Sequence, residues 1–505
     1  MSYISASGFS FDVELQELSF DLEIYIDPYI DPETEEYLDQ FSWEIRDDGS
    51  VVDGGYDYGS TYQTPIIPLS TGLSDIDIEA YNVYAGGQAT TWSADVHNNT
   101  LAEFGQMSFG SDAIDIVFGS AYNDNFSLGG GNDFAEGGEG NDILNGGAGA
   151  DTMVGGGGND NYVVDNASDQ TIEAPGGGTD TVRSWISWTL ADNIERLQLL
   201  GTANNNATGN ALNNQIYGNS GNNVLNGAGG ADRMEGFGGN DTYIVNDAGD
   251  VIVEAVDGGI DTVRSWINWT LANNIERLQL LGIGNNANGN GLDNQLYGND
   301  GNNVLNGSIG ADRMEGFGGN DNYIVDNAGD QIIERAGGGI DTVRAWITWT
   351  LGGNLDRLVL LGTTEAISGA GNASNNEIFG NAGKNRLAGW AGNDVLTGGA
   401  GFDTFIFNTA LNAATNVDTI TDFSVADDTI RLDDAIFTAI GPVGTLAAAA
   451  FTIGAAATTA AHRIVYNSAT GALIYDSNGS AAGGATQFAI LDTGLALTNA
   501  DFLIS

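Results

Sequence analysis

The chain has 505 residues, 68 of them acidic and 14 basic, which gives a formal net charge of −54 at pH 7. This charge disfavours nucleic acids, anionic membranes and acidic polymers as partners, since each would repel the chain, and it favours cations instead. The sequence has no cysteine and only two histidines, which excludes thiol nucleophiles, disulfides, iron–sulfur clusters and Cys/His zinc sites.

Residues 1–115 alternate apolar and polar positions with a period of two, as in Phe9, Phe11 and Val13. This alternation is typical of half-buried strands, and we predict an N-terminal β-sandwich-like domain of unknown role over 1–115. The first residues carry no basic segment followed by an apolar one, so we expect no N-terminal secretion signal. No run reaches the ~18 apolar residues of a membrane-spanning helix, so we also expect no membrane span.

From residue 119 the sequence consists of nine-residue units such as GGEGNDILN (137–145), and similar arrays return at 209–244, 289–324 and 371–406. A longer unit, TDTVRSWISWTLADNIERLQLLG in its first copy, occupies 179–201, 260–282 and 340–362, at offsets of 81 and 80 residues. A short period nested in a long one is typical of a solenoid rather than of separate globules.

The nonapeptide has the pattern G-G-x-G-[NA]-D-x-h-x, in which h is apolar. Glycines allow backbone conformations with positive φ and leave carbonyl oxygens accessible, and the aspartate adds a carboxylate to each turn. Stacked turns would bring together the six to eight oxygens that calcium prefers, while the apolar eighth residue, as in Leu144, points into the core. An alternative is that the aspartates only form Asx-turns.

This pattern resembles the RTX calcium-binding β-roll, which implies an all-β, parallel β-roll or β-solenoid over 116–406 with calcium between neighbouring turns. Residue by residue, the resemblance assigns the Ca2+ ligands to the sixth-position aspartates and to glycine carbonyls: Asp124, Asp133, Asp142, Asp151, Asp160, Asp232, Asp241, Asp312, Asp321, Asp394, Asp403, Gly137, Gly146 and Gly155. Some turns of the later arrays carry asparagine at this position instead: Asn214, Asn223, Asn294, Asn303, Asn376 and Asn385. Because asparagine is neutral, we expect those turns to stack as amide ladders that bind calcium weakly or not at all.

Residues 407–505 resemble the C-terminal region that serralysin-type proteases share with related RTX proteins, and the segment 462–480 predicts a hairpin. The resemblance implies an uncleaved signal for a type I secretion exporter and a β secretion domain at 407–505. We therefore expect a protein secreted by a Gram-negative bacterium, extracellular or on the cell surface. Extracellular calcium modules bind with dissociation constants of about 10⁻⁴–10⁻³ M, so the chain would stay unfolded inside the cell and fold outside.

The sequence gives no sign of a catalyst. The H-E-x-x-H motif of serralysin relatives and the G-x-S-x-G motif are both absent, and His97 and His462 stand without catalytic partners in the sequence. We therefore predict that the chain is not an enzyme. A secreted glycan-active enzyme is the third functional alternative, because paired carboxylates could serve glycoside hydrolysis.

The 80-residue repeat places tryptophan and arginine on a side of the strand that is otherwise polar. Val182, Ile186, Trp188 and Leu190 share the predicted core side. The opposite side predicts an interface, formed with its equivalents by Trp185, Trp266, Trp346, Arg183, Arg264, Arg344, Leu200, Leu281 and Leu361.

These exposed rows have three interpretations. The tryptophans could pack under a neighbouring layer of the same chain, anchor a second copy of the chain, or stack on sugar rings. We predict self-assembly as a surface-layer, filament or extracellular matrix protein. The alternative is an adhesin or lectin that binds cell-surface glycan through residues 1–115 or through the tryptophan rows.

Overall fold

The computed structural model describes residues 3–6, 9–16, 19–26, 41–47, 50–57, 76–83, 89–96, 106–111, 115–119 and 121–505, with backbone alone before residue 115. The acidic, proline-containing segment 27–39, which the sequence predicts to be a loop, and His97 lie outside these residues. The chain divides into two compact units, Met1–Phe237 with Gly249–Val251, and Gly238–Ala248 with Ile252–Ser505.

The first unit begins with strands that pair mainly with their sequence neighbours. They are β1 (Tyr3–Ala6), β2 (Phe9–Gln16), β3 (Ser19–Ile26), β4 (Phe41–Asp47), β5 (Ser50–Asp57), β6 (Ile76–Val83), β7 (Ala89–Val96) and β8 (Gln106–Ser111). Strands β1 to β3 form an antiparallel sheet, and β4 pairs antiparallel with both β5 and β6. Strand β7 pairs in parallel with the first strand of the next set, so strands β4 to β7 share a sheet with strands of the repeats. The sandwich-like arrangement stays a prediction.

The repeats of the first unit form short parallel strands. They are β9 (Asp115–Phe118), β10 (Asn125–Gly129), β11 (Phe134–Glu139), β12 (Ile143–Asn145), β13 (Thr152–Gly157), β14 (Asn161–Val164), β15 (Gln170–Ile172), β16 (Thr181–Ser184), β17 (Trp188–Thr189), β18 (Arg196–Leu199), β19 (Asn206–Thr208), β20 (Gln215–Tyr217), β21 (Val224–Asn226) and β22 (Arg233–Glu235). Consecutive strands alternate between sheets, so β8 to β22 of even rank form one sheet and β9 to β15 of odd rank belong to another.

Pairing joins residues two nonapeptides apart, because each coil of the solenoid contains one strand in each sheet. Leu144 of β12 pairs with Tyr162 of β14, and Ala135 of β11 pairs with Met153 of β13. The eighth-position side chains fill the space between the sheets with no exposed surface: Phe126, Leu144, Met153 and Tyr162. Their burial is the main apolar contribution to the stability of these coils.

The second unit continues the pattern with strands of the same kind. They are β23 (Thr242–Val245), β24 (Val251–Val253, its first residue in the first unit), β25 (Thr262–Ser265), β26 (Trp269–Thr270), β27 (Arg277–Leu280), β28 (Asn286–Asn288), β29 (Gln295–Asn299), β30 (Val304–Asn306), β31 (Arg313–Phe317), β32 (Asn322–Val325), β33 (Gln331–Ile333), β34 (Thr342–Ala345), β35 (Trp349–Thr350), β36 (Arg357–Leu360), β37 (Ser368–Ala370), β38 (Glu377–Phe379), β39 (Arg386–Ala388), β40 (Val395–Thr397) and β41 (Thr404–Phe407).

The C-terminal region adds strands to the sheets of the second unit. They are β42 (Asp418–Ile420), β43 (Thr429–Leu432), β44 (Gly444–Thr445), β45 (Phe451–Ile453), β46 (Ile464–Asn467), β47 (Ala472–Asp476), β48 (Ala485–Ile490) and β49 (Phe502–Ile504). Strands β46 and β47 pair antiparallel, which confirms the predicted hairpin. Short 3₁₀ helices span Ala448–Ala450 and Asn499–Asp501. None of the helices in the described part of the chain is long and apolar enough to cross a membrane.

The all-β, parallel solenoid predicted from the nonapeptides is confirmed. Its turns depend on glycine at the second and fourth positions, where Gly138 and Gly140 have φ of 96° and 121°. In some units of the later arrays a larger residue at the second position adopts the same left-handed backbone, as do Ala228 and Phe317 with φ of 64° and 74°. These positions carry backbone strain, because a Cβ atom disfavours positive φ.

Candidate metal centre

The sixth-position aspartates form a hydrogen-bonded ladder through the turns. The backbone N–H of Asp124 donates to Oδ1 of Asp142 at 2.8 Å, and the N–H of Asp142 donates to Oδ1 of Asp160 at 2.7 Å. A second ladder joins Asp133 to Asp151 in the same way, at 2.8 Å. Each carboxylate therefore holds the turn 18 residues before it through one of its two oxygens.

The second oxygen, Oδ2, is buried and accepts no hydrogen bond in many of these aspartates: Asp133, Asp142, Asp151, Asp160, Asp312, Asp321, Asp394 and Asp403. Their side chains belong to residues that are at most 2% exposed. A buried charged oxygen without a partner is costly, and native proteins supply one. An oxygen donor set of this kind fits a hard divalent cation, so the predicted aspartates have the geometry that metal binding requires.

First-position glycines make room for these carboxylates. A Cβ atom built on Gly137 would overlap Oδ2 of Asp142 and lie 2.7 Å from the carbonyl oxygen of Gly155. A Cβ atom on Gly146 would overlap Oδ2 of Asp151 in the same way. The glycines predicted as carbonyl ligands thus have a second role, as the only residue type that leaves space for the carboxylate. Their coordination of calcium stays a prediction.

The ladder carboxylates have strongly perturbed pKa values. Burial raises the pKa of Asp142 to about 7, and the charges of Asp160 and Asp124 raise it as well, while the backbone hydrogen bond from Asp124 lowers it. Burial likewise raises the pKa of Asp133 to about 7 and that of Asp151 to about 6. Without a cation, these carboxylates resist ionisation. When they ionise at neutral pH, their charges repel one another between stacked turns.

Asparagine-containing turns are closed differently. Oδ1 of Asn214 accepts the N–H of Asn210 in its own turn at 2.8 Å, and Nδ2 donates to the carbonyl oxygen of Ile194 in the preceding coil at 3.0 Å. The same two bonds recur at Asn223, Asn294, Asn303, Asn376 and Asn385. The sixth-position amides bond to the backbone of the preceding coil and do not form a ladder with one another, although Asn223 and Asn385 also donate to the side chains of Asn219 and Asn381 in their own turns. The amide N–H groups therefore satisfy carbonyl oxygens that would otherwise be available to a cation.

The repeat patterns of the sequence do not identify three groups of acidic residues that the structure brings together. Each group lies where an array meets the 80-residue unit. In each group, one oxygen from every residue lies within 4.8 Å of the others: Asp160, Glu173 and Asp180; Asp241, Glu254 and Asp261; Asp321, Glu334 and Asp341. The signal was present, because the glutamates and the third aspartates recur at the offsets of 81 and 80 residues. The spacer pattern itself predicts strands and does not indicate that its acidic residues are metal ligands.

The predicted interface residues lie at the ends of the repeat strands. Trp185, Trp266 and Trp346 are 54%, 55% and 53% exposed. This exposure does not fit tryptophans packed under a neighbouring layer of the same chain. Their arginine neighbours, Arg183, Arg264 and Arg344, are also exposed, while Leu200, Leu281 and Leu361 are half-buried.

On the core side, Val182 and Leu190 are buried as predicted, whereas Ile186 and Trp188 are half-buried. The indole N–H of Trp188 is buried and donates no hydrogen bond, as are those of Trp269 and Trp349. The paired tryptophans of each repeat therefore differ, since one faces solvent and the other lies against the chain.

The profile of the RTX calcium-binding nonapeptide repeat (4 copies) matches residues 109–142, 128–162, 208–243, 288–331 and 370–405. This chain is an RTX repeat protein. The matched segments coincide with the aspartate ladders and the turns built on asparagine. A search of curated proteins returned no significant match.

The RTX repeats and the buried acidic groups together identify the cation as Ca2+, bound at several sites. Ladder aspartates would supply the free carboxylate oxygens, in an array such as 137–163. RTX repeat proteins are typically secreted, which agrees with the expected extracellular location.

Proposed function

We propose that this RTX protein is a secreted structural protein that folds outside the cell on binding calcium and then self-associates. The contacts would be made through its tryptophan edges, which are the surfaces around the exposed side chains of Trp185, Trp266 and Trp346. The surface-layer, filament or matrix role follows from this proposal. The observation that carries it is the recurrence of a solvent-exposed tryptophan beside an exposed arginine in each 80-residue repeat.

Calcium-dependent folding is supported by the buried carboxylates. The Oδ2 atoms of Asp142 and Asp160 have no hydrogen-bond partner, and the charge of Asp160 raises the pKa of Asp142. A divalent cation between coils would neutralise that repulsion and satisfy the free oxygens. Because the ligands come from turns that are far apart in the unfolded chain, the binding energy of calcium contributes directly to folding.

Self-association is supported by what surrounds the tryptophans. The backbone N–H of Trp185 donates to the carbonyl oxygen of Val164 at 3.0 Å, and those of Trp266 and Trp346 donate to Val245 and Val325 at 2.9 Å. These bonds fix the main chain that carries each indole, so only the rotamer freedom of the side chain would be lost on association. Tryptophan and arginine are the residues most enriched at the energetic centres of protein interfaces.

Within the second unit, the arrangement favours an open assembly. Trp266 follows β25 and Trp346 follows β34, and these strands belong to different sheets. In a coil that has one strand in each sheet, the chain leaves the two strands on opposite sides of the coil. Contact surfaces at opposite edges join copies head to tail, which generates extended assemblies rather than closed dimers.

The charge distribution supports a second copy of the chain as the partner. Several other arginines of the repeats are engaged internally, as in the ion pairs of Arg233 with Glu235 at 2.8 Å and Arg313 with Glu315 at 2.9 Å. Arg183 and Arg344 are exposed, on a chain of net charge −54. Exposed arginines would find complementary acidic surface on another copy.

Light scattering during a calcium titration tests the proposal. We expect large, chelator-reversible species to form for the full chain, and not for the variant Trp185→Ser, Trp266→Ser, Trp346→Ser. The matched control is Val443→Ser, which removes a side chain that is 68% exposed and belongs to the C-terminal region rather than to the 80-residue repeats. Assembly that survives the triple substitution, or a calcium-loaded chain that stays monomeric, would contradict self-association.

The adhesin alternative uses the same tryptophans as stacking surfaces for sugar rings, or uses residues 1–115. A glycan array probed with the calcium-loaded full chain separates the two functions. Glycan binding that is lost in the triple tryptophan variant, without assembly of the parent chain, would favour the adhesin. Turnover of a glycan would favour the enzyme alternative.

Export by a type I exporter rests on the resemblance of residues 407–505 to the serralysin-type C-terminal region. We expect these residues, fused to an unrelated passenger, to direct its export by a type I system. Retention of the fusion inside the cell would contradict this assignment.

A further inference from the structure

Each long repeat brings three carboxylates together at the end of its nonapeptide array. In the first repeat they belong to Asp160, Glu173 and Asp180, whose nearest oxygens lie within 4.8 Å of one another. The N–H of Asp160 donates to Oδ1 of Asp180 at 2.8 Å, which continues the ladder from the array into the spacer. The same grouping recurs in the second and third repeats.

The third carboxylate replaces a backbone carbonyl. In the preceding coil, the space beside Gly137 is shared by Oδ2 of Asp142 and the carbonyl oxygen of Gly155. One coil later, a Cβ atom on Gly155 would lie 2.5 Å from Oδ2 of Asp160 and would overlap Oε1 of Glu173. Glutamate therefore supplies a charged oxygen where an ordinary turn supplies a neutral one.

Unsatisfied oxygens point into this cluster. Asp160 and Asp180 are fully buried, and Oδ2 of each accepts no hydrogen bond. In the third repeat, Asp321 and Asp341 are at most 1% exposed and have the same free oxygens. Acidic residues that only interact with water would not be buried in this way.

A tyrosine positions the additional carboxylate. The hydroxyl of Tyr162 donates to Oε1 of Glu173 at 2.5 Å, and also lies 3.1 Å from the carbonyl oxygen of Ile172. Tyr243 bonds to Glu254 and Tyr323 bonds to Glu334 in the equivalent places. The phenol lies between the sheets at the eighth position of the last nonapeptide, so it holds the glutamate at the cluster from within the core.

We propose that each long repeat contains one three-carboxylate calcium site, distinct from the sites within the arrays, where a backbone carbonyl oxygen takes the place of the glutamate, and that the three-carboxylate sites fill first. Calcium affinity rises with the number of charged ligands and with the rigidity of the site, and both are greater here. Folding of each repeat would then begin at the junction of array and spacer. This inference rests on calcium binding by the RTX repeats but not on self-association.

Terbium(III), a luminescent substitute for calcium, tests the order of filling, because a tyrosine hydroxyl beside the ion sensitises its emission. We expect the first three equivalents added to the metal-free full chain to give tyrosine-sensitised emission. In the variant Glu173→Gln, Glu254→Gln, Glu334→Gln, these three tight sites should bind terbium with roughly tenfold lower affinity. The matched control, Glu139→Gln, changes an exposed glutamate of the first array and should leave the terbium affinity of the three tight sites unchanged.

A second variant keeps the test decisive if the glutamines impair folding. Tyr162→Phe, Tyr243→Phe, Tyr323→Phe should abolish the sensitised emission while calorimetry still finds about three tight calcium ions. Emission that develops only with later equivalents in the parent chain, that keeps its affinity in the glutamine variant, or that survives in the phenylalanine variant, would overturn the proposal. Light scattering of the same samples reports self-association separately, so failure of one idea does not decide the other.

Discussion

The backbone N–H of Asp142 donates to Oδ1 of Asp160 in the next coil, 2.7 Å away. This bond assigns different tasks to the two carboxylate oxygens, because Oδ1 holds the coils in register and Oδ2 stays free for a cation. Repeated along the array, it links each calcium site to the stacking of the coil before it. Metal binding and folding are therefore coupled by the same side chain.

Substitution of a ladder aspartate should weaken calcium-driven folding. Asp142→Asn removes a charge from a buried site and replaces its free oxygen with a poorer ligand. We expect the calcium concentration at the midpoint of folding, followed by circular dichroism, to rise roughly tenfold. The exposed Asp192→Asn is the control and should leave the midpoint unchanged. Equal effects of the two variants would contradict the assignment.

The reverse substitution should create a need for calcium where none exists. Asn294→Asp removes the amide N–H that bonds to the carbonyl oxygen of Ile275, and buries a charge in its place. We expect the variant to be less stable than the parent at low calcium and to recover at high calcium. Its control is Asn302→Asp, since an exposed carboxylate there can still accept the N–H of Asn320. A variant as stable as the parent at every calcium concentration would show that the amide does not close the turn.

Much of this architecture could be predicted because each nonapeptide specifies its own turn and strand. Asp142 and Leu144 follow from the repeat alone, as carboxylate and core residue. The groups containing Glu173 could not be predicted in the same way, because Glu173 and Asp180 meet Asp160 only after the chain completes a coil of irregular length. The bonding of Asn214 was foreseen only in part, since sequence shows an amide but not which backbone groups it reaches.

The metal-free chain should be more stable in mild acid than at neutral pH. Burial raises the pKa of Asp133, Asp142 and Glu173 to about 7. A raised carboxylate pKa contributes stability that is fully present below the unfolded value, near 4, and lost as pH rises through about 7. We expect calcium-stripped protein to show more β structure by circular dichroism at pH 5 than at pH 8.

Calcium should reverse this dependence, because protons then compete with the ion for the same oxygens. With millimolar calcium present, we expect stability to fall as the pH drops from 7 to 5. Metal-free protein that is most stable at pH 8 would be inconsistent with buried, cation-dependent carboxylates.

Relief of backbone strain should stabilise a later array. Ala228 occupies the second position of its nonapeptide with φ of 64°, where the first array has glycine. Ala228→Gly should raise the free energy of unfolding by about 0.5–1 kcal/mol, since the left-handed backbone costs alanine more than glycine. The control is Ala150→Gly at a fifth position, which should lower stability by a similar amount. Chemical denaturation in saturating calcium measures both.

The central claim is that the buried carboxylate ladders make folding depend on calcium. Its most direct test is a calcium titration of the full metal-free chain, following β structure by circular dichroism and compactness by small-angle X-ray scattering. The account predicts an expanded chain without calcium at neutral pH and a cooperative transition to the folded solenoid as calcium rises into the millimolar range, with several ions bound. A chain that is already compact and β-rich in chelator, and unchanged by calcium, would contradict it.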